Sequence, residues 1–473
     1  MKVEQLFTGC LSEMAYYIES NGEAVIIDPL RETEPYIRMA EADNAKIKYI
    51  FLTHFHADFV SGHVDLAKKT GAEIVYGPNA ETNFKFHLGK DGEEFPIGNI
   101  KLKLLHTPGH TMESSSYLLV DDKGNMPYVF TGDCLFIGDV GRPDLAVKSG
   151  SITQDDLAGH LFDSLRNKIM TLPDDIVVYP AHGAGSACGK NMSSETFDTL
   201  GNQKKTNYAL RADMTKEEFI KEVTTGLKQP PAYFPNNVRM NKEINTSIDE
   251  ILHQGTTPLD PVTFKEMSDM KDVLVVDTRS KESYAEEGTV PGAWYIGIDG
   301  SFAPWVGSLI KNINQKIIFI SDDELRVNEI VTRFSRVGYD NTLGYLNGGI
   351  QDWKAHGFEV DKIGSISAHM FTELLKEGKM EKPVDVRRES EYQSEHVVGV
   401  ENFPLDFIHS QFAEINPDKE YFLHCQSGYR SLIAASIFMA NGVKNVTDVR
   451  GGFKDIKETE AELTEYVCPT TLL

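Results

Sequence analysis

The chain has 473 residues, enough for about three domains, and an ordinary globular composition of 41% hydrophobic and 25% charged residues. Its 71 acidic against 47 basic residues leave a net charge of −24, which argues against a nucleic-acid partner, because phosphate backbones are bound by basic patches. No apolar run reaches the roughly 18 residues a membrane span needs, Met1–Gln5 carries no apolar signal segment, and five scattered cysteines form no disulfide framework; the expectation is a reduced, cytoplasmic setting with no membrane partner.

In chain order, the first ~245 residues alternate short apolar runs with helix-like stretches. Ala24–Ile27 reads as a buried strand ended by the turn Asp28-Pro29. Ile47–Thr53 reads as a strand that delivers His54 and His56 to its C-terminal end. Val64–Lys69 reads as a helix and Ile100–Leu105 as a strand. Gln229–Asn237 holds Pro230, Pro231 and Pro235 and reads as a non-helical linker. The first boundary falls near 250, giving a domain over 1–250. The remainder repeats itself: Val275-Val276-Asp277-Thr278-Arg279 returns as Val384-Asp385-Val386-Arg387, with Asp277 and Asp385 108 positions apart. The pairs Gly348-Gly349 and Gly451-Gly452 are 103 apart. A repeat this long is a duplicated domain, placed at 256–362 and 366–473. Each copy reads strand, helix, strand, helix, which predicts an α/β fold with a parallel sheet.

Metal-binding residues gather in the first domain. Thr53-His54-Phe55-His56-Ala57-Asp58-Phe59 is a tight cluster of ligand types. His110 follows a strand in His106-Thr107-Pro108-Gly109-His110, Asp133 ends Phe130-Thr131-Gly132-Asp133, and His182 lies in Tyr179-Pro180-Ala181-His182-Gly183. Imidazole with carboxylate suits zinc, iron or manganese. Two ligand sets are open. One is three histidines, His54, His56 and His110, with Asp133 as a bridging carboxylate. The other is a facial triad of His54, His110 and Asp133, which leaves positions for O2 and a substrate on Fe(II).

The first cluster resembles the H-x-H-x-D-H motif of the metallo-β-lactamase superfamily, whose fold is an αββα sandwich. In its two-metal members the Asp and the last His hold a second metal; here that His is Phe59. The region from about Gln5 to about Asn241 resembles the persulfide dioxygenase branch, most tellingly in Gly138-Asp139-Val140-Gly141-Arg142-Pro143-Asp144. That resemblance implies one iron per chain on His54, His110 and Asp133, with His56, Asp58 and His182 behind them orienting ligands and water. Zinc is the alternative metal. Arg142 has two roles open to it: fastening its loop to Asp144, or clamping the carboxylate of a thiol carrier. Cys188, near Lys190, is either a small buried filler or a substrate-handling thiol that Lys190 would acidify. Cys134, beside Asp133, is expected to pack beneath the metal.

Glu420–Cys425 reads as a strand ending in a cysteine, and Gln426-Ser427-Gly428-Tyr429-Arg430-Ser431 turns into a helix beginning near Leu432. A free thiol with a pKa near 8.5 is only about 3% thiolate at pH 7. Backbone N–H groups curled round the sulfur, with a helix N-terminus behind them, favour the anion. The loop resembles the rhodanese active loop C-x-x-G-x-R, and both copies resemble the rhodanese fold. Cys425 would then carry sulfane sulfur, Arg430 would attract sulfite or thiosulfate, and Gln426, Ser427, Gly428 and Tyr429 would line the substrate. Protein phosphatases use one more residue between Cys and Arg, so the spacing here favours sulfur. Aligning the repeats puts Ile320-Ser321-Asp322-Asp323-Glu324-Leu325-Arg326 against His424–Arg430. Serine cannot carry a stable sulfane sulfur, and the middle copy reads as inactive. Asp385 and Arg387 read as fold braces.

The implied function is a two-stage sulfide-detoxification enzyme. A low-molecular-weight thiol persulfide is oxidised by O2 to sulfite, and Cys425 transfers sulfur to or from thiosulfate. A homo-oligomer is expected. One rival is a zinc thioesterase of the glyoxalase-II kind with accessory rhodanese domains; another is a persulfide-carrying or sensing scaffold.

Overall fold

A computed structural model describes residues 1–147 and 150–468. These divide into two compact units, Met1–Ile248 with Ser335–Gly338, and Asp249–Phe334 with the chain from Tyr339 onward.

The first unit is built on two six-stranded sheets. The first runs in chain order from Lys2–Thr8 to His87–Leu88 and contains Glu23–Ile27 and Lys46–Phe51 as parallel neighbours. The second joins Ile100–His106, Ser115–Val120, Tyr128–Gly132 and Val177–Pro180, of which the last two are parallel. Inner-face residues of both sheets, among them Tyr16, Val25, Phe51, Leu102, Tyr117 and Phe130, form the central core. Helices Glu34–Ala42 and His63–Thr70 bury Tyr36, Ala40 and Leu66 on the outer face of one sheet. Gln154–Ser164 and Lys216–Thr224 bury Leu157, Leu161, Phe219 and Val223, and of these Leu161, Phe219 and Val223 join the cluster outside the other sheet. This is the helix–sheet–sheet–helix layering that the family resemblance implies.

The second unit holds two five-stranded sheets, each all-parallel. The repeat is visible in the strand order: edge strand, last strand, third strand, first strand, second strand, once in Pro258–Leu346 and again in Gly364–Val449.

Two local expectations need correction. The proline-rich stretch is not wholly non-helical: Phe234–Asn241 is a helix, with Pro235 in its first turn, where a missing N–H costs no hydrogen bond. The helix after Cys425 begins at Tyr429, not near Leu432, because Gly428 takes a left-handed φ of 93° and starts the helix directly.

Candidate metal centre and cysteine loop

Every metal-ligand candidate of the first unit follows the C-terminal end of a strand. His54, His56 and Asp58 come after Lys46–Phe51, His110 after Ile100–His106, Asp133 after Tyr128–Gly132 and His182 after Val177–Pro180. The approach is close: a Cβ on Gly132 would lie 2.6 Å from Thr53 Cβ. Ligand atoms of His54, His110 and Asp133 lie within 4.8 Å of one another, as do those of His56, Asp58 and His182, and those of Asp133, His182 and Cys188.

Hydrogen bonds fix which ring nitrogen each histidine offers. Thr53 donates its hydroxyl to Asp28 Oδ2 at 2.8 Å, so its oxygen accepts from His54 Nδ1 at 3.0 Å. His110 Nδ1 lies 2.8 Å from the Arg142 carbonyl, which can only accept. Both rings therefore carry the proton on Nδ1 and turn the Nε2 lone pair inward. There His54 Nε2 and His110 Nε2 sit 3.7 and 3.4 Å from the same oxygen, Asp133 Oδ2. The other oxygen of Asp133 is 3.6 Å from His182 Nε2, which is 3.4 Å from Asp58 Oδ2.

His56 is turned differently. Its Nε2 lies 2.9 Å from Asp28 Oδ1, and Asn241 Nδ2 donates to its carbonyl. Burial opposes the charged form of His56, but Asp28 outweighs it and the pKa is raised. His54 is the opposite case: burial first, then the neighbouring imidazoles, hold its pKa well below the ordinary value. A neutral, buried imidazole is the form that ligates. Phe59 is fully buried, with its ring centroid 4.4 Å from that of His56.

Among the described residues, His54 Nε2, His56 Nδ1, both oxygens of Asp58 and Asp133, and both ring nitrogens of His182 are buried without a hydrogen-bond partner. Such a set is costly unless a cation satisfies it. The residues present fit a metal ion.

The sequence leaves Arg142 two roles, and the structure shows the first. Its guanidinium closes on Asp144 with contacts of 2.6 and 2.7 Å and also donates to the carbonyls of Ala187 and Lys228. All three of its nitrogens donate to groups of the protein, two of them to Asp144. Lys190 is a second correction: its ammonium donates to the Glu222 and Thr225 carbonyls and does not acidify Cys188. Burial, then Asp58 and Asp133, push the Cys188 thiol well above its ordinary value. Cys134 is buried and pushed up to about 12, as befits a packing residue.

Sequence reasoning missed Asp28, Thr53 as a hydrogen-bond bridge, and Asn241. Asp28 reads as a turn residue, yet it holds the Thr53 backbone N–H and hydroxyl and abuts His56. Its left-handed φ of 51° was the only local peculiarity that could have flagged it, and that is not visible in sequence. Asn241 lies 185 residues from His56, so no local pattern links them.

In the second unit, Glu420–His424 delivers Cys425 to a strand end, and the helix Tyr429–Ala440 starts four residues later. Cys425 Sγ accepts from Gly428 N at 3.2 Å and lies 3.6 Å from Ser431 Oγ. Gly452 permits the approach beneath, since a Cβ there would lie 2.4 Å from the Cys425 carbonyl. Arg430 is bidentate to Glu391 at 2.6 and 2.8 Å. Burial works against the charge of Arg430, but Glu391 more than offsets it and raises the pKa. Gln426 and Ser427 are exposed at the mouth. Tyr429 turns away from the sulfur and donates its hydroxyl to the Gly297 carbonyl at 2.7 Å.

Comparison with known proteins agrees with this architecture. The metallo-β-lactamase superfamily model matches residues 8–182, and the rhodanese-like domain model matches 260–356 and 367–459. A crystal structure of a metallo-β-lactamase from Staphylococcus aureus subsp. aureus COL is 32% identical, covering 73% of this chain and 98% of its own, with a TM-score of 0.63. The crystal structure of ETHE1 from Myxococcus xanthus is 30% identical, covering 51% of this chain and 100% of its own, with a TM-score of 0.42. No helix among the described residues is long and apolar enough to cross a membrane. The chain belongs to the metallo-β-lactamase superfamily and carries two rhodanese-like domains behind its metal-binding fold.

Proposed function

We propose that the chain is a persulfide dioxygenase joined to a sulfurtransferase. The observation that carries this reading is the pair of inward Nε2 atoms facing one oxygen of Asp133. Two imidazoles and one carboxylate, with the last histidine position of the motif taken by Phe59, suit a single iron with open positions. Iron bound there would supply the oxygen chemistry that side chains lack.

The chain's own residues do the rest. Thr53 and the Arg142 carbonyl fix the tautomers of His54 and His110, and Asp28 with Asn241 holds the His54–Phe59 loop. Phe59 and Phe136, both fully buried, keep water from the site. The overall change is that a thiol persulfide, O2 and water give the free thiol, sulfite and two protons. In the second unit the Cys425 thiolate attacks the outer sulfur of another persulfide, releasing its thiol. Sulfite then attacks the sulfane sulfur, forming the S–S bond of thiosulfate and returning the thiolate. The N–H of Gly428 holds the negative sulfur, and Arg430, held by Glu391, places a positive charge beside the loop. Transfer in the reverse direction uses the same groups.

A second reading is a two-metal hydrolase acting on thioesters. The buried His56–Asp58–His182 group, whose ligand atoms lie within 4.8 Å of one another, favours it. Anaerobic purification, metal analysis and O2 uptake with a low-molecular-weight thiol persulfide distinguish the two. About one iron per chain with persulfide-dependent uptake is expected; two zincs with thioester cleavage would sink the dioxygenase.

A further inference from the structure

The cysteine-less copy meets the Cys425 loop at Tyr429, and Lys281 Nζ also reaches the Ser427 carbonyl at 3.4 Å. Tyr429 lies between Gly428 and Arg430 in the loop, and its ring enters the middle copy. A Cβ on Gly300 would lie 2.2 Å from Tyr429 Cζ and 2.5–2.6 Å from both Cε atoms, so only glycine leaves room for the ring. The Gly297 carbonyl accepts from the Tyr429 hydroxyl and from Gly300 N, which closes the turn around the ring's tip. Tyr295 meets the ring edge-on, with centroids 6.1 Å apart. Two helical turns further along the same face, Ser436 Oγ accepts from Tyr295 N at 2.8 Å.

What holds this turn is the remnant of a second active loop. Arg326 aligns with Arg430, but it pairs with Asp299 at 2.7 Å, inside the Gly297–Gly300 turn. Arg333 donates to the Ile298 carbonyl in the same turn.

We infer that the degenerate copy is a positioning partner of Cys425: its Gly297–Gly300 turn, braced by Arg326, seats Tyr429 and thereby fixes the start of the helix whose groups cradle the sulfur. The two groups nearest Sγ, Gly428 N and Ser431 Oγ, come from the residues one before and two after Tyr429. A ring displaced from its seat carries both with it. Tyr429, Gly300 and Arg326 are positioning residues, since none of them meets the sulfur. This inference rests on Cys425 being the sulfur carrier.

The test uses the full-length chain with Gly300→Val, which fills the seat, and Arg326→Ala, which loosens the turn from an accessible position. Two readouts are taken: Cys425-dependent thiosulfate formation, and the rate at which iodoacetamide alkylates Cys425. Gly300→Val is expected to lower kcat about tenfold with donor KM nearly unchanged, and to slow alkylation by a similar factor. Arg326→Ala is expected to give about a threefold fall in both. Tyr429→Phe, which keeps the ring, should retain most of the rate. Wild-type rates in a folded Gly300→Val protein would overturn the inference. If that variant does not fold, wild-type rates in Arg326→Ala overturn it instead. A wild-type chain with no Cys425-dependent transfer would defeat the sulfurtransferase reading, while the alkylation rates would still decide the seat.

Discussion

In the copy matched at 260–356, Arg279 is bidentate to Asp277; in the copy at 367–459, Arg387 grips Asp385 in the same way, two residues along the same strand end. Both pairs are almost fully buried. The glycine pairs at 348–349 and 451–452 both take left-handed φ values beneath the loop. The copies part at the loop itself. Around Cys425 the backbone opens, with Gly428 N aimed at the sulfur. Around Ser321 it closes on itself: Ser321 Oγ donates to the Asp323 carbonyl and accepts from Asp323 N, and a short helical turn, Glu324–Arg326, leaves Leu325 91% exposed. The two copies share the Arg–Asp brace at the strand end and differ in the loop that follows the central strand.

The sharpest break between the copies is the nucleophile. Cys425→Ser should cut thiosulfate formation by about a thousandfold or more while persulfide-dependent O2 uptake persists. Loss of both activities together, read by an oxygen electrode and a thiosulfate assay, would refute the division of labour. The shared brace comes next. Asp385→Ala leaves the buried Arg387 without its carboxylate and should cost about 3–5 kcal/mol of stability, measured as a shift in urea midpoint. Asp277→Ala should cost less, because Arg279 keeps Glu287 at 2.8 Å; an equal cost would mean that Glu287 adds nothing to the brace.

A smaller effect concerns pH. Asp448, which faces Ser431, is raised to about 7, chiefly by burial, against opposing pulls from Ser431, Lys281 and Arg450. The repeat spacing puts Tyr345 at the corresponding place in the middle copy. A carboxyl raised in the folded state costs nothing below its unfolded pKa of about 4, where both states are protonated. From there to about pH 7 the unfolded chain ionises and the folded one resists, so stability falls with rising pH. Asp448→Asn should flatten that slope, on the order of 2 kcal/mol between pH 4 and 7, in chemical melts across pH. The smallest expected effect is Ser321→Cys: restoring the sulfur without the open loop should give no measurable gain in transfer in a Cys425→Ser background. A clear gain would mean that the middle copy lost only its nucleophile.

The sequence by itself determined the duplication and the residues that follow each strand end, Cys425 among them. Apolar runs of strand length can be buried only as sheets, and ligand types placed after them must emerge at one rim. The ring nitrogen that each histidine offers, the use of Arg142 as a fastener, and the place of Tyr429 were decided by tertiary structure alone. Arg142 reads equally as a fastener to Asp144 and as a clamp for a carrier carboxylate, and the structure shows the contact with Asp144. Whether His56 ligates beside His54 or supports it stays open in the sequence, and in the structure its Nε2 lies 2.9 Å from Asp28, 28 positions earlier. Tyr429 reads as part of a substrate loop until Gly300, from another domain copy, leaves it a space to fill. Hydrogen bonds and close contacts between distant segments depend on distances of a few tenths of an ångström, and no spacing along a chain encodes those.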